Sequence, residues 1–246
     1  MLAAGRTTIL YRLVFRRFPL SAFAMPRPRR LVLPSVPLHV IQRGNNRLPC
    51  FTCRSDYLVY LDMLRECAYD CGCTLHAYAL MTNHAHLLFS PDDEHGASVL
   101  MRRLGQRYVQ YFNRRHTRTG TLWEGRFRSC LVLDEQYFLA CQRYIELNPV
   151  RARMVDKPEH YPWSSYRINA LGQESPLVKP HLAYLRLHRE TIARQAAYRQ
   201  LCEEAFPEQL IAEIRDASNG HRPLGTAAPR GTTPEKALEQ FPKIGL

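Results

Sequence analysis

The sequence predicts an α+β fold, a ferredoxin-like sandwich in which helices pack on one face of an antiparallel sheet, followed by C-terminal helices. Two observations support this fold class. Segments with strand-like and helical hydrophobic spacing follow one another in the order strand, helix, hairpin, helix, strand, helix. The hairpin is marked by apolar runs at 75–81 and 84–90 that only Thr82 and Asn83 separate.

The individual elements follow from hydrophobic spacing and from the residues that end each segment. The first strand ends at the turn that begins with Gly44, and the first helix places Tyr57 and Leu64 at helical spacing. The last helix of the series is expected to stop at Asn148, because the residue before a proline disfavours the helical conformation. The predicted segments are strands at 36–43, 75–81, 84–90 and 129–134 and helices at 54–71, 97–114 and 135–147.

Composition divides the chain into three parts. The N-terminal residues contain arginines and no acidic residue, and Met25 opens the basic stretch MPRPRR, which favours Met25 over Met1 as the start. Glycine, serine and proline accumulate at 172–180 and suggest a boundary. The expected parts are a poorly ordered basic extension at 1–30, a folded domain at 31–172, and an extension at 173–246 that is helical over 182–218 and a loose tail from 219.

The charge balance predicts a polyanionic partner. The chain has 34 lysines and arginines against 22 acidic residues, a net charge of +12, and only four of the basic residues are lysines. Arginine binds phosphate in a bidentate manner and stacks on bases, so nucleic acid is the expected ligand. No apolar stretch reaches the roughly 18 residues that a membrane span needs, and no membrane partner is expected.

The eight cysteines do not form a zinc-finger pattern. Cys50 and Cys53 make the only Cys-x-x-Cys pair, and no second pair follows at finger spacing. Reduced thiols and a cytoplasmic location are therefore the expectation.

The pair His84 and His86 is the sharpest local feature. Residues two apart on a strand project from the same face, so both imidazoles should emerge together. Two adjacent imidazoles are natural ligands for a divalent cation, although they need a third group. An isolated His-x-His pair also arises by chance.

A candidate third group lies in the segment RYIELNPVRARMV, where Tyr144 and Asn148 are four residues apart. On a helix they would share a face, so a carboxamide oxygen could complete the site with a phenol one turn away. The alternative is that Tyr144 is an ordinary half-buried aromatic residue and Asn148 only a helix stop.

Arginines interleaved with aromatic residues between 102 and 128 are typical of a surface that binds single-stranded nucleic acid. Trp123 and Phe127 could stack on bases, or they could be core anchors. The candidate DNA-binding residues, with two arginines from neighbouring motifs, are Arg43, Arg102, Arg103, Arg107, Arg114, Arg115, Trp123, Arg126, Arg128 and Arg151.

Taken together, these motifs resemble the REP-associated tyrosine transposases, which are relatives of the single-tyrosine insertion-sequence transposases in the HUH nuclease superfamily. The resemblance covers roughly 25–170. It rests on MPRPRR, HVIQRGNNR, MTNHAHLL, YFNRRHTRTGTLWEGRFRS, YIELNPVRARMV and WSSY. One departure is Ala85, where the superfamily usually has a bulky apolar residue.

The resemblance implies roles for four residues. His84, His86 and Asn148 would bind Mg²⁺ or Mn²⁺, and Tyr144 would be the nucleophile that forms a 5′-phosphotyrosine link. The implied partner is single-stranded or hairpin DNA of the REP type, in a bacterial, nucleoid-associated protein that is a monomer or a homodimer. Two alternatives stay open: a catalytically silent regulator that binds DNA hairpins, and a metal-dependent RNA-processing nuclease.

Overall fold

The computed structural model of the 246-residue chain describes residues 31–220 and 222–225. The predicted basic extension at 1–30 and almost all of the predicted tail lie outside the described residues. In chain order the elements are β1 (Leu38–Arg43), α1 (Arg54–Asp70), β2 (Cys73–Met81), β3 (His84–Pro91), α2 (Gly96–Arg115), β4 (Arg128–Leu131), α3 (Glu135–Glu146), α4 (Asn148–Arg151), α5 (Tyr166–Leu171), α6 (Leu182–Leu185), α7 (Thr191–Glu203) and α8 (Glu208–Gly220).

The four strands form one sheet in the order β2-β3-β1-β4, and every neighbouring pair is antiparallel. Because α1 connects β1 to β2 and α2 connects β3 to β4, the chain has the βαββαβ arrangement of the ferredoxin-like fold. The predicted α+β class is confirmed. The register pairs Arg43 with His84 and Ile41 with His86, so β1 lies directly beside the histidine strand.

Helices cover both faces of the sheet. Leu87 and Phe89 of β3 belong to a core cluster with side chains of α1 and α2. Leu88, which points the other way, packs with Ile145 of α3 and Ile214 of α8 in a second cluster. The predicted placement on one face therefore holds for α1 and α2, while α3 and α8 cover the second face. Because consecutive residues of β3 are apolar, both faces of the strand carry apolar side chains. Helices on both faces bury these side chains.

Several element boundaries differ from the predicted ones by one to three residues, and two of the differences have a clear local cause. β4 ends at Leu131 because Asp134 serves as the N-cap of α3, where its carboxylate accepts hydrogen bonds from two backbone amides of the first turn. Asn148 does not stop the helical path. α3 ends at Glu146, and Asn148 begins α4 with only Leu147 between the two helices. Pro149 lies in the first turn of α4, where its missing N–H costs no hydrogen bond.

The helices α6, α7 and α8 confirm the predicted helical content of the C-terminal extension. α8 packs against the sheet, with Ile214 fully buried in the cluster that contains Val132. Beyond α8, the backbone N–H of Leu224 donates to the carbonyl oxygen of Leu131 at 2.7 Å. In the described ranges, no helix combines the length and the apolar character that crossing a lipid bilayer requires.

A buried carboxylate ties the end of α3 to the C-terminal helices. Glu146 is fully buried and accepts hydrogen bonds from Ser165 Oγ at 2.5 Å, Asn169 Nδ2 at 2.7 Å and Tyr198 Oη at 2.7 Å. Burial raises the pKa of Glu146 to about 7, against the opposing effect of the three donors. The polar network therefore anchors the junction between α3 and α4, where Tyr144 and Asn148 lie.

Candidate active site

The two histidines of β3 lie side by side on the face of the sheet that α3 covers. His84 opens the strand and His86 follows two positions later, so strand geometry directs both rings to one side. Their ring centroids are 4.9 Å apart. His86 is buried and His84 is half-buried, so the pair reaches from the core toward the surface.

Hydrogen bonds hold one nitrogen of each imidazole. Nδ1 of His84 lies 2.6 Å from Asn83 Oδ1, and Nδ1 of His86 lies 2.9 Å from Nε2 of the buried His39. Nδ1 of His39 is in turn 2.9 Å from Ser218 Oγ of α8. When each ring carries its proton on Nδ1, every one of these contacts is a donated hydrogen bond. Nε2 of His84 and of His86 then keep their lone pairs.

All three rings are neutral at physiological pH. Burial is the largest cause of the lowered pKa values, which fall to about 4 for His84 and to about 3 for His39. The pKa of His86 lies well below its usual range because of burial and of the charges of His84, His39, Arg151 and Arg43. A neutral imidazole is the form that binds metal ions.

The ring of Tyr144, in the last turn of α3, lies beside these imidazoles. Its centroid is 5.9 Å from that of His86 and 5.9 Å from that of His39, with an edge-to-face arrangement in both cases. The side chain is 4% exposed. The phenol therefore belongs to the same enclosed space as the histidine pair, within one chain.

The guanidinium of Arg151 covers the other side of the phenol. Its central carbon lies 4.2 Å from the centre of the Tyr144 ring, and Nη2 donates to the Tyr144 carbonyl oxygen. Nε and Nη1 of Arg151 are buried and have no hydrogen-bond partner among the described residues. Burial lowers the pKa of Arg151 to about 10, which leaves it charged at neutral pH. Two unused cationic donors therefore lie beside the phenol.

The side chain of Asn148 reaches the histidine pair from α4. Its Nδ2 atom lies 2.7 Å from His86 Nε2. Helical hydrogen bonds continue on both sides of the junction between α3 and α4. The N–H of Leu147 donates to the Arg143 carbonyl, and the N–H of Ala152 donates to the Asn148 carbonyl. Tyr144 and Asn148 are therefore kept on one side, as their four-residue spacing predicted.

The donor atoms around His86 suit a divalent cation. Nε2 of His84 and Nε2 of His86 offer lone pairs. A half-turn of the Asn148 carboxamide would present its oxygen in place of its nitrogen. Two imidazoles and one neutral oxygen are ligands that manganese and similar ions accept. These three residues fit the metal-ligand set that the sequence resemblance implied.

A second group of possible ligands in the described part of the chain has a structural role. Ligand atoms of Cys53, Asp56 and His116 lie within 4.8 Å of one another between α1 and α2. The Asp56 carboxylate accepts the backbone N–H of Thr52 at 2.8 Å and that of Cys53 at 3.1 Å, which caps the N-terminus of α1. Because the Asp56 carboxylate already accepts these hydrogen bonds, we assign this group a structural role and not metal binding.

Three of the candidate DNA-binding arginines line a small crevice near the histidines. The crevice is lined by three arginines and one acidic residue, together with Ile41 and Asn219: Arg43, Arg126, Arg128 and Glu124. The backbone of Arg43 pairs with His84, and the guanidinium of Arg128 donates to Asn219 Oδ1 of α8 at 2.6 Å. With Arg151, these residues make the surroundings of the candidate site positively charged.

The arginines of α2 lie elsewhere. This helix covers the face of the sheet opposite the histidines, as its buried Leu104 in the α1–α2 cluster indicates. Arg103 pairs with an acidic residue of α1 at 3.9 Å and Arg107 with another at 2.7 Å. The predicted residues that the structure does not bring to the candidate site are Arg102, Arg103, Arg107, Arg114 and Arg115.

Trp123 is a core residue. It is 7% exposed, stacks on the buried Tyr108 with centroids 5.8 Å apart, and its Nε1 donates to the Gly105 carbonyl at 3.4 Å. Phe127 is similarly buried. The structure favours the alternative of a core anchor, because the indole fills the space between α2 and the sheet, and a DNA-binding role for Trp123 stays a prediction.

His39 and Ser218 were not predicted from the sequence. Strand alternation directs His39 to the same face of the sheet as His84 and His86, and this alternation can be read from the sequence. Its contact with His86 depends on the pairing of β1 with β3, and Ser218 comes from 179 residues further along the chain. No local pattern could have identified Ser218.

Known transposases are similar to this chain in sequence and in fold. The sequence model for transposases of the IS200-like family matches residues 33–148. No curated protein matches the sequence.

Two solved structures are similar to the chain. One is a REP-associated tyrosine transposase bound to a REP hairpin, which is 17% identical with a TM-score of 0.50. The match covers 64% of this chain and 93% of that one. The other is a candidate transposase from Deinococcus radiodurans, 23% identical with a TM-score of 0.35, and the match covers 50% of this chain and 96% of that one. Residues 33–148 are thus similar in sequence to transposases of the IS200-like family, and the fold of the chain is similar to that of a REP-associated tyrosine transposase.

Proposed function

We propose that this protein cleaves and rejoins single-stranded DNA through a 5′-phosphotyrosine link on Tyr144. The observation that carries the proposal is the convergence of four groups in one chain. His84 and His86 of β3 meet Tyr144 and Asn148 of the helical segment, although His86 and Asn148 are 62 residues apart in sequence. Formation of a phosphotyrosine link needs a phenol beside a set of metal ligands.

His84, His86 and Asn148 would hold Mg²⁺ or Mn²⁺. A bound divalent ion polarises the scissile phosphate and offsets the charge that develops in the transition state. The chain fixes the ligands in advance: Asn83 and His39 hold the Nδ1 atoms, so each Nε2 keeps its lone pair and its direction. His39, which Ser218 orients, is a positioning residue in this scheme.

Tyr144 supplies the nucleophile. Its phenolic oxygen forms a bond to phosphorus while the bond from phosphorus to the 3′ oxygen breaks. The phenol loses its proton to water, and the leaving oxygen gains one to become a 3′-hydroxyl group. Reversal by another 3′-hydroxyl rejoins the strand, so no nucleotide cofactor is required.

Arg151 would bind the phosphate that Tyr144 attacks. Its buried and unpaired Nε and Nη1 atoms can donate to phosphate oxygens, and planar guanidinium donors match that geometry. Because Tyr144 is 4% exposed, the guanidinium above its ring must move aside to admit the strand. Arg151 then exchanges a contact with the phenol for one with the phosphate.

The proposed substrate is hairpin-forming DNA of the REP type. The similar transposase of known structure was bound to a REP hairpin, and the crevice lined by Arg43, Arg126 and Arg128 supports a phosphate path toward the histidines. Because one chain contributes all four groups, a monomer could act alone, although a homodimer is compatible. A DNA substrate of this kind places the protein in the cytoplasm at the nucleoid.

A covalent adduct assay tests the proposal. A single-stranded hairpin with unpaired flanks, taken from the DNA around the gene, is labelled at its 3′ end and incubated with protein and Mn²⁺. We expect a labelled band that stays with the protein under denaturing conditions. Tyr144→Phe should lose the band, and Tyr137→Phe, which alters another tyrosine of α3, should keep it.

Each remaining outcome identifies another function. Tight binding without any adduct would indicate the catalytically silent regulator. Cleavage of DNA and of the matching RNA at equal rates, without an adduct, would indicate a hydrolytic nuclease. An adduct that persists in Tyr144→Phe would assign the nucleophile to a different residue.

A further inference from the structure

A groove lies on the opposite face of the sheet from the histidines, between α2 and the loop that follows it. It has a volume of about 600 Å³, within the usual range of small-ligand sites. Met101, Trp123 and Phe127 contribute apolar wall, and Gln42 and Gly105 also line it. The groove therefore has an apolar wall, exposed polar side chains such as Gln106 and Gln110 at its rim, and the buried side chain of Gln42.

The buried polar group of the groove is the carboxamide of Gln42. This residue is 6% exposed, and its Oε1 is buried without a hydrogen-bond partner among the described residues. A buried amide oxygen without a hydrogen bond is unfavourable, and a ligand that supplies a donor can relieve this. A carboxamide is suited to an adenine edge, where an amino group stands beside a ring nitrogen.

Gly105 keeps the groove open beside this carboxamide. A Cβ atom there would lie 3.5 Å from Gln42 Nε2 and 3.6 Å from Trp123 Nε1, so an added methyl group fits without a clash. Glycine in the interior of a helix is less stable than alanine. Folding alone would therefore favour alanine at this position.

The rim of the groove is positively charged. Arg102 and Arg126 are exposed lining residues, and no acidic residue contributes to the lining. Arg126 also lines the crevice that contains Arg43 and Arg128 on the catalytic side. Basic groups therefore follow one another from the candidate site around the end of β1 to the groove, as a phosphodiester chain would require.

We propose that this groove receives one unpaired nucleobase, adenine or cytosine, from the single strand that flanks the cleavage site. Gln42 pairs with the amino group and the adjacent ring nitrogen of the base, the apolar wall contacts its face, and Arg102 and Arg126 contact the neighbouring phosphates. This inference rests on the proposed function, because it takes single-stranded DNA as the ligand. It gives Arg102 of α2 a role that is separate from the chemistry.

Binding without cleavage tests the groove. A labelled DNA hairpin with an unpaired flank is titrated with Tyr144→Phe protein in the absence of divalent metal, and fluorescence anisotropy gives the affinity. At each flank position in turn, adenine, cytosine, thymine or an abasic site is placed. We expect one position at which thymine or the abasic site weakens binding at least fivefold relative to adenine or cytosine.

Two further substitutions identify the groove as the source of this preference. Gln42→Leu and Gly105→Ala, each made in the same protein, should remove the preference at that position and leave the affinity for the abasic DNA within about twofold. Gly105→Ala should also raise the melting temperature, because alanine favours the helix. Loss of the preference in a more stable protein excludes unfolding as the cause.

The contrary results are distinct from failure of the proposed function. A preference that both variants retain, or one for thymine, would overturn the groove assignment. If the affinity is the same for every base at every flank position, in a protein that forms the Tyr144 adduct, the inference is overturned and the proposed function stands. Absence of both DNA binding and adduct would count against the two together.

Discussion

Replacement of Glu146 by glutamine should remove much of the pH dependence of stability between pH 5 and pH 8. Burial raises the pKa of this carboxyl to about 7 in the folded protein, whereas its ordinary value is 4.5. The folded state therefore holds the proton to a higher pH than the unfolded state. The resulting stabilisation is complete below pH 4.5 and is lost as the pH rises through 7.

The magnitude follows from the two pKa values. Their difference corresponds to about 3 kcal/mol in full, of which about 2.5 kcal/mol is lost between pH 5 and pH 8. Glutamine has the shape of the protonated acid, and its amide oxygen can still accept hydrogen bonds from Ser165 and Asn169. Glu146→Gln should therefore not show this loss of unfolding free energy between pH 5 and pH 8.

Urea unfolding followed by tryptophan fluorescence, at pH 5 and at pH 8, measures the effect. The free energy of unfolding of the wild type should fall by about 2.5 kcal/mol more than that of Glu146→Gln. Glu203→Gln, which alters an exposed glutamate at the end of α7, serves as the matched control and should follow the wild type. Equal pH dependence in wild type and Glu146→Gln would refute the reasoning. It would mean that the three hydrogen-bond donors outweigh burial and keep Glu146 ionised.

Three further predictions concern the site and its support. His39→Ala should weaken Mn²⁺ binding about 10-fold to 100-fold in calorimetric titration, because His86 loses the group that orients it, and His39→Gln should lose less; unchanged affinity would remove the positioning role. Arg151→Ala should slow formation of the Tyr144 adduct by about 100-fold, with only partial recovery in Arg151→Lys, because lysine lacks the planar fork. Wild-type rates in both variants would show that the phosphate lies elsewhere. Trp123→Ala should lower the free energy of unfolding by about 3–5 kcal/mol, as loss of a buried aromatic ring does, and a loss below about 1 kcal/mol would contradict its place in the core.

The features that could be predicted from the sequence are those set by local periodicity. Strand alternation fixes His84 and His86 on one face whatever the rest of the chain does. Helical spacing likewise keeps Tyr144 and Asn148 together, even though α3 and α4 are separate helices. The order of elements was sufficient for the ferredoxin-like class, because few topologies connect such a series without crossing.

The features that the sequence could not provide depend on which face each element covers. Arg102 and Trp123 lie in one basic and aromatic segment, yet the packing of α2 places Arg102 on the face opposite the histidines and buries the indole. The contact of His39 with His86 depends on strand register, and that of Ser218 on how α8 docks. Such contacts are set by tertiary packing, which residue spacing does not encode.

The path from Ser218 through His39 to His86 shows that the family-matched segment does not contain all the residues that support the candidate site. That segment ends at residue 148, while Arg151, Ser218 and all three donors to Glu146 follow it. A fragment cut at this point would lack the guanidinium that covers the Tyr144 ring and the three donors that hold Glu146. The C-terminal helices are therefore part of the structure that encloses the candidate site, and exchanging them between relatives would change its surroundings.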